Sequence, residues 1–304
     1  MTWYEKLDKV IGDYLPDLPM ERDVPMDRFT SFRIGGPARR LACPKNREQL
    51  VILMALAREC GARPFIMGNG TNLLIPDRGL DRLVIRTAGE MSDVRLTGET
   101  VIEADAGISL SRLALFAQSQ ALTGLEFAHG IPGSLGGAVF MNAGAYGGEM
   151  KQVVQEVIVL AGDGIRHIPG AECAFGYRKS AFSDGRTVIL GAKLHLKKGD
   201  PAQIRDKMAE LMAKRKASQP LEYPSAGSTF KRPEGYYAGT LIQETGLKGL
   251  TVGGAQVSEK HAGFVINTGG ATCADVMALI AQVQDRVMQR SGVHLEPEVR
   301  IIEN

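Results

Sequence analysis

The sequence predicts an α+β fold, and three observations lead there. After an opening helix, the first part of the chain mixes helices and strands as a β-α-β beginning. A middle section is dense in short β-branched runs, and the last hundred residues return to long helical stripes. Helices and strands are therefore segregated along the chain, without the regular alternation of a doubly wound sheet. At 304 residues the chain is long enough for two or three domains with real cores.

The elements follow in order. Trp3, Leu7, Val10, Ile11, Tyr14 and Leu15 fall on one helical face, and Pro16 and Pro19 end that helix. Asn46 caps a second helix, which runs through Leu50, Leu53, Met54 and Ala57 to a stop at Gly61. Pro64-Phe-Ile-Met67 reads as a short buried strand leading into a tight turn, Gly68-Asn-Gly-Thr-Asn72. Leu83-Val-Ile-Arg86 and Thr100-Val-Ile-Glu-Ala104 read as strands, and Ser109 to Gln120 as a helix. Residues 153–160 and 187–196 are further strands, with a turn at Gly162-Asp163-Gly164 after the first. A boundary is expected near Lys198-Gly-Asp-Pro201. There Asp200 is a helix cap, Pro201 the first helical residue, and Ile204, Met208, Leu211 and Met212 the apolar stripe. Thr272 opens the longest late helix, with Val276, Leu279, Ile280, Val283 and Val287 facing inward and Gly292 at its end.

Composition narrows the function. An apolar fraction of 44% and a charged fraction of 23% are ordinary for a globular protein, and a net charge of +2 gives no case for nucleic acid. Cys43, Cys60, Cys173 and Cys273 are far apart, with no CxxC pair and no histidine at ligand spacing, so no metal site is expected. No segment is apolar enough to span a bilayer, and the charged amino terminus does not read as a signal peptide. The expectation is a reduced, cytoplasmic protein with no nucleic-acid or membrane partner.

Candidate chemistry lies in five places. The turn Gly68, Asn69, Gly70, Thr71, Asn72 offers successive backbone N–H groups for a phosphate, and an ordinary turn explains it equally well. It matches neither the dinucleotide fingerprint nor a Walker loop. Residues 130–148 hold seven glycines among apolar and amide residues, with Ile131-Pro132 stiffening the loop and Asn142 adding a donor. Backbone so free of Cβ atoms can approach a large anionic ligand closely. Arg178 sits between aromatics and a hydroxyl in Phe175-Gly-Tyr-Arg-Lys-Ser-Ala-Phe182. Its partner is either a structural carboxylate or a substrate carboxylate. Ser228, after Ala226-Gly227, stands on a constrained turn as a proton donor or a turn-stabilising hydroxyl, outside any GxSxG elbow. Glu298, between Pro297 and Val299, is a half-buried carboxyl that must be paired, for instance with Arg300, or protonated.

At these residues the chain closely resembles the UDP-N-acetylenolpyruvoylglucosamine reductases. The resemblance runs from Thr30-Ser-Phe-Arg-Ile-Gly-Gly36 to Val299-Arg-Ile-Ile302. It is carried by residues 130–148, Phe175 to Phe182, Ser225 to Pro233 and Leu295 to Val299 in that order. The 68–72 turn resembles the family's flavin-diphosphate loop, with Thr71 where serine is more usual.

The resemblance implies a two-lobed FAD-binding domain of the vanillyl-alcohol-oxidase type over residues 30–198, with lobes at about 30–89 and 90–198. It further implies a lead-in over residues 1–29 and an α+β substrate domain over 199–304. It implies the shorter subtype, which lacks a tyrosine-bearing loop that closes over the substrate. FAD would be bound without a covalent link, since the first glycine loop holds no histidine. Its contacts would be Gly68, Asn69, Gly70, Thr71, Asn72, Gly130, Ile131, Pro132, Gly133, Ser134, Gly137 and Asn142. NADPH would be the co-substrate. Arg178 and Glu298 would hold the substrate carboxylate, Ser228 would protonate the adjacent carbon, and Tyr177, Arg215, Lys216, Lys248 and Lys260 would contact the nucleotide sugar. The competing readings are another flavin-dependent oxidase or dehydrogenase of the same superfamily, and a nucleotide-sugar binder without catalysis.

Overall fold

A computed structural model describes residues 1–162 and 164–303, so Asp163, the centre of the expected 162–164 turn, lies outside the described residues. The chain forms two compact units, each assembled from separated stretches. Unit 1 comprises Met1–Arg22, Arg40–Asn69 and Arg82–Lys214, and unit 2 comprises Asp23–Arg39, Gly70–Asp81 and Arg215–Asn304. This differs from contiguous domains divided near residue 198. Two short early stretches belong with the carboxy-terminal unit, and the helix Pro201–Ser218 begins in unit 1.

In unit 1, α1 (Trp3–Tyr14) starts in a capping box: Glu5 N–H donates to Thr2 Oγ1 at 3.4 Å, and Thr2 N–H donates to Glu5 Oε2 at 2.7 Å. Leu7, Ile11 and the following Leu15 are buried as the stripe requires, while Tyr14 is 68% exposed, contrary to expectation. α2 (Arg47–Glu59) has its cap where expected, with Gln49 N–H donating to Asn46 Oδ1 at 2.9 Å. Buried Arg40 on β2 (Pro37–Ala42) grips Asp8 of α1 through two parallel bonds of 2.7 Å each. β2 belongs to a sheet ordered β1-β2-β5-β3, with β1 Met20–Pro25, β5 Leu80–Arg86 and β3 Pro64–Met67, and its β3–β5 pairing is parallel.

The second sheet of unit 1 is antiparallel in the order β12-β11-β13-β7-β6. These strands are Gly164–Pro169, Val154–Ala161, Val188–His195, Val101–Asp105 and Val94–Leu96. Strand alternation gives it two apolar faces. Val157, Val159, Ile189 and Ala192 join the core formed with α3 (Leu110–Ser119) and α4 (Leu135–Phe140). Ile158, Leu160, Val188 and Leu190 join the core formed with α1 and α2. Between α2 and β7, Arg47 Nε lies 2.6 Å from Asp105 Oδ1 and Arg47 Nη1 lies 2.9 Å from Glu103 Oε1. A small antiparallel pair, β8 (Leu122–Thr123) and β14 (Lys197–Lys198), lies beside α5 (Pro201–Ser218), whose Ala202 N–H donates to Asp200 Oδ1 at 2.7 Å.

In unit 2 an antiparallel sheet runs β15-β18-β17-β16: Ser225–Ser228, Phe264–Asn267, Ala255–Val257 and Thr251–Val252. α6 (Ala238–Glu244) and α7 (Cys273–Ser291) supply its core with Leu241, Ile242, Val276, Leu279, Ile280, Val283 and Val287. α7 keeps its expected cap at Thr272 and ends at Gly292 with φ +69, a left-handed stop that glycine adopts without a Cβ penalty. The early stretches join this unit through Phe32, Ile34 and Leu74 in the core and through the parallel pair β4 (Leu73–Leu74) and β19 (Arg300–Ile301).

Asp77 also accepts two N–H groups at the start of α7, from Cys273 at 2.7 Å and Ala274 at 3.1 Å. Asp77→Ala strands both donors in a first turn that favours negative charge. It is expected to cost about 1 kcal/mol or somewhat more, read as a lower thermal midpoint with flavin content retained. Cys60, Cys173 and Cys273 are buried, and burial pushes the Cys173 and Cys273 thiols up to about 11. No helix among the described residues is long and apolar enough to cross a membrane.

Candidate active site

Unit 1 brings the two glycine loops together at residues 68, 69, 132 and 134. Asn69 Nδ2 donates to Pro132 O at 3.0 Å, and a Cβ on Gly68 would stand 2.0 Å from Ser134 Oγ, so a side chain there would force the serine hydroxyl to move. The second loop is pinned on its far side, where Leu110 N–H donates to Gly133 O at 3.0 Å, Leu135 N–H to Ile108 O at 2.9 Å and Gly136 N–H to Ala106 O at 2.8 Å. Gly130, Ile131, Pro132 and Gly133 are thus held open between fixed ends, and Gly137 is exposed on α4.

Two buried polar atoms flank this loop without a hydrogen-bond partner among the described residues: Ser134 Oγ and His129 Nδ1. Burial also holds His129 below the usual imidazole range, which favours the neutral ring. A Cβ-free cradle with unused polar atoms fits the diphosphate of a dinucleotide cofactor. His129 is absent from the sequence-derived candidates, because a lone histidine before a glycine carries no distinguishing pattern.

Asn142 departs from its expected cofactor contact. Its side chain is buried, and its Nδ2 donates to Glu149 Oε2 and to Gly176 O at 3.0 Å each, while Oδ1 accepts Lys151 N–H at 2.9 Å. Both amide hydrogens and the carbonyl are used on protein. Arg178 and Tyr177 occupy the centre of a tight turn closed by Gly176 and Lys179. The turn closes by Gly176 N–H to Lys179 O at 3.0 Å and the reverse bond at 3.3 Å. Arg178 takes φ +55, its guanidinium carbon lies 5.2 Å from the Tyr177 ring centre, and Nη1 donates to Gly144 O at 3.5 Å.

In unit 2, Ser228 ends β15 opposite Phe264, with its side chain on an exposed position. Buried Thr229 fixes it. Thr229 N–H donates to Gly263 O at 2.8 Å, its Oγ1 accepts Val265 N–H at 2.9 Å, and its carbonyl accepts Glu298 N–H at 2.7 Å. Ser228 and Glu298 therefore stand on adjoining backbones, although 70 residues of sequence separate them. Asn72 serves the same segment: its Nδ2 donates to Glu298 O at 3.1 Å and its carbonyl accepts Arg300 N–H at 3.0 Å. Gly70, at φ +65, accepts Ser31 N–H through its carbonyl, and Thr71 is half-buried beside it. These bonds place Asn72 as a brace for the carboxyl segment, and Thr229 is a positioning residue that sequence reading missed.

The expected nucleotide-sugar cations divide. Lys260 Nζ donates to Lys216 O at 2.9 Å near the carboxy end of α5, and lies 3.7 Å from Glu222. That location suits a cation at a helix carboxy terminus and accounts for Lys260 without a ligand. Arg215 and Lys216 lie in the last turn of α5, and Lys248 is half-buried. His261 Nδ1 accepts Gly263 N–H at 3.1 Å. Burial, with Lys248 adding to it, holds the ring below the usual imidazole range.

Comparison with known proteins agrees with this division of labour. Residues 38–168 match the FAD binding domain family, and residues 219–302 match the UDP-N-acetylenolpyruvoylglucosamine reductase C-terminal domain. A cofactor domain of that kind, joined to a reductase domain, defines an FAD-containing oxidoreductase with the α+β fold expected. The chain is 50% identical over 279 residues to the UDP-N-acetylenolpyruvoylglucosamine reductase of Caldanaerobacter subterraneus subsp. tengcongensis, covering 91% of this chain and 92% of that one. It is 46% identical over 303 residues to the Clostridium perfringens enzyme of the same name, covering 99% of each. The crystal structure of the Thermus caldophilus UDP-N-acetylenolpyruvylglucosamine reductase superposes with a TM-score of 0.82 at 38% identity, covering 94% of this chain and all of that one. The chain belongs to the UDP-N-acetylenolpyruvoylglucosamine reductase family.

Proposed function

We propose that this chain reduces UDP-N-acetylglucosamine enolpyruvate to UDP-N-acetylmuramate with NADPH. In this reading it is a cytoplasmic monomer in the supply of peptidoglycan precursors. The observation that carries the chemistry is the Thr229 clamp, which sets the Ser228 hydroxyl and the Glu298 carboxyl on bonded neighbouring backbones. Family membership and the cradle formed by Gly68, Asn69, Pro132 and Ser134 support FAD as its cofactor.

FAD held by the Gly68, Asn69, Pro132 and Ser134 cradle would supply the redox chemistry, relaying a hydride from NADPH to the terminal carbon of the enolpyruvyl group. The chain's own work is placement and charge. Arg178 clamps the substrate carboxylate through charge-assisted bonds, and protonated Glu298 donates a further hydrogen bond to it. Negative charge gathers there in an enolate-like intermediate of the substrate. Ser228 gives its hydroxyl proton to the adjacent carbon, since an enolate is basic enough to take a proton from an alcohol. Tyr177, Arg215, Lys216 and Lys248 contact the nucleotide sugar. Lys260 acts less directly, by holding the Lys216 carbonyl.

A single-turnover experiment tests this. The flavin is reduced anaerobically with NADPH, and the enolpyruvyl substrate is then added. The expected result is rapid return of the oxidised flavin spectrum with one equivalent of UDP-N-acetylmuramate. A flavin that reoxidises only with oxygen would assign the chain to an oxidase reaction, and failure of NADPH to reduce the flavin would remove the co-substrate.

A further inference from the structure

Four non-glycine residues near Arg178 hold left-handed backbone: Asn142 at φ +43, Tyr146 at φ +54, Ala174 at φ +44 and Arg178 itself at φ +55. Each such residue costs roughly 1 kcal/mol or more, so the surrounding bonds must hold it there. One side chain, Asn142, bonds both to the turn that holds Arg178 and to the segment after Tyr146. It leaves the end of α4, with its N–H donating to Val139 O at 3.2 Å, and is 1% exposed. One of its amide hydrogens reaches Gly176 O, the carbonyl that also closes the Arg178 turn by accepting Lys179 N–H. The other reaches Glu149 Oε2.

Glu149 is itself fixed. It lies on β10 (Gly148–Glu149), paired with β9 (Gly144–Ala145) across a two-residue hairpin of Tyr146 and Gly147, and it caps the short turn Met150–Gln152. Gly144, opposite Glu149 in that hairpin, offers the carbonyl that Arg178 Nη1 contacts. The base of the arginine turn and its guanidinium are therefore both registered on residues 142–149.

We propose that Asn142, held by Glu149, is a positioning residue that aims Arg178 from the glycine-rich cofactor segment. The carboxylate clamp is then oriented by the same segment that carries the cofactor loop. This rests on the reading of Arg178 as the carboxylate clamp given above. It replaces the expected contact of Asn142 with FAD by a duty toward the substrate.

The sharp variant is Asn142→Asp, which keeps the shape, removes both donors and sets a second carboxylate beside Glu149. Three quantities are measured on the flavin-loaded protein and its apoprotein: the dissociation constant of FAD, the rate of flavin reduction by NADPH, and the rate and apparent affinity of reoxidation by the enolpyruvyl substrate. The expected result is an FAD constant within about threefold of the parent, with the substrate step slowed or its affinity weakened by roughly 10- to 100-fold. Combining it with Arg178→Ala is expected to add little beyond Arg178→Ala alone, as for residues acting through one another.

Weakened FAD binding with an unchanged substrate step would overturn the proposal in favour of a cofactor contact, and additive effects in the double variant would overturn it too. An Arg178→Ala protein with an intact substrate step would instead sink the clamp role, and this proposal with it. If Asn142→Asp does not accumulate folded, Glu149→Ala removes one of the two acceptors. It is expected to give a smaller substrate defect of about three- to tenfold. No defect in that variant would equally overturn the proposal.

Discussion

Ser228→Ala is expected to leave flavin reduction by NADPH within about twofold of the parent while slowing reoxidation by the enolpyruvyl substrate by roughly 10²- to 10⁴-fold, the usual contribution of a positioned general acid. The separation follows from where the hydroxyl stands. Ser228 is exposed at the end of β15, and the bonds that hold its segment belong to Thr229, from Gly263 and Val265 on one side and Glu298 on the other. Removing the Ser228 oxygen therefore leaves the backbone clamp intact, so a loss of rate reports proton transfer. Stopped-flow absorbance of the flavin resolves the two half-reactions. Equal loss in both would remove Ser228 from the role of proton donor and point to a disturbed site.

Arg47→Ala is expected to be the most damaging change away from the site. The guanidinium is bonded to two largely buried carboxylates on one strand, Glu103 at 2.9 Å and Asp105 at 2.6 Å, and Arg95 also reaches Glu103 at 2.9 Å. Loss of Arg47 leaves Asp105 buried without its partner, at a cost of about 3–5 kcal/mol. Trp3, the one tryptophan of the sequence, packs against the core that α1 and α2 share, so its fluorescence follows unfolding of this region in urea. The expected readout is a midpoint lowered in proportion, with a slope like that of the parent.

The pH dependence has a definite sign. Burial raises Asp105 above its ordinary range, and Arg47, with a smaller contribution from the Asp93 backbone, opposes that rise. A carboxyl whose folded value is raised costs stability as the pH climbs from its unfolded value, about 3.9, through the folded one. Without Arg47 the folded value rises further. The penalty of Arg47→Ala should therefore be smaller near pH 5, where Asp105 can take a proton, than at pH 8. A penalty independent of pH would mean that lost packing of the arginine stem, and not the stranded charge, dominates.

The helices were legible because their causes are local. Asn46, Ser109, Asp200 and Thr272 each accept a backbone N–H within three residues, as short polar side chains before an apolar stripe should. Tyr14 is 68% exposed although Leu7, Ile11 and Leu15 of the same stripe are buried, because periodicity says which face a residue shares and not whether its side chain is covered. The catalytic candidates were legible only in part. Glycine density marked the loops, but Asn142 and Asn72 were assigned to the cofactor because a side-chain amide in a glycine-rich loop looks the same whether it faces a ligand or a carbonyl. In the structure their side-chain amides donate to Gly176 O, Glu149 Oε2 and Glu298 O, and two of these three partners are remote in sequence. Thr229, His129 and Glu149 left no pattern at all, since a single buried polar residue has no period.

By itself the sequence determined the α+β class, the capped helices, the two glycine loops and the candidates Arg178, Ser228 and Glu298. All of these depend on backbone freedom, capping and apolar spacing within one stretch of chain, or on a resemblance carried by short motifs. Tertiary structure decided which stretches fold together. Residues 23–39 and 70–81 joined the carboxy-terminal unit, Asn72 reached Glu298 across 226 residues, and Asn267 Nδ2 reached Phe32 O across 235. Such pairings bury Phe32, Ile34 and Leu74 in a core whose other members lie near the far end of the chain. Loop-closure entropy grows only slowly with separation, so burial of apolar surface selects these contacts, and no local pattern can announce them.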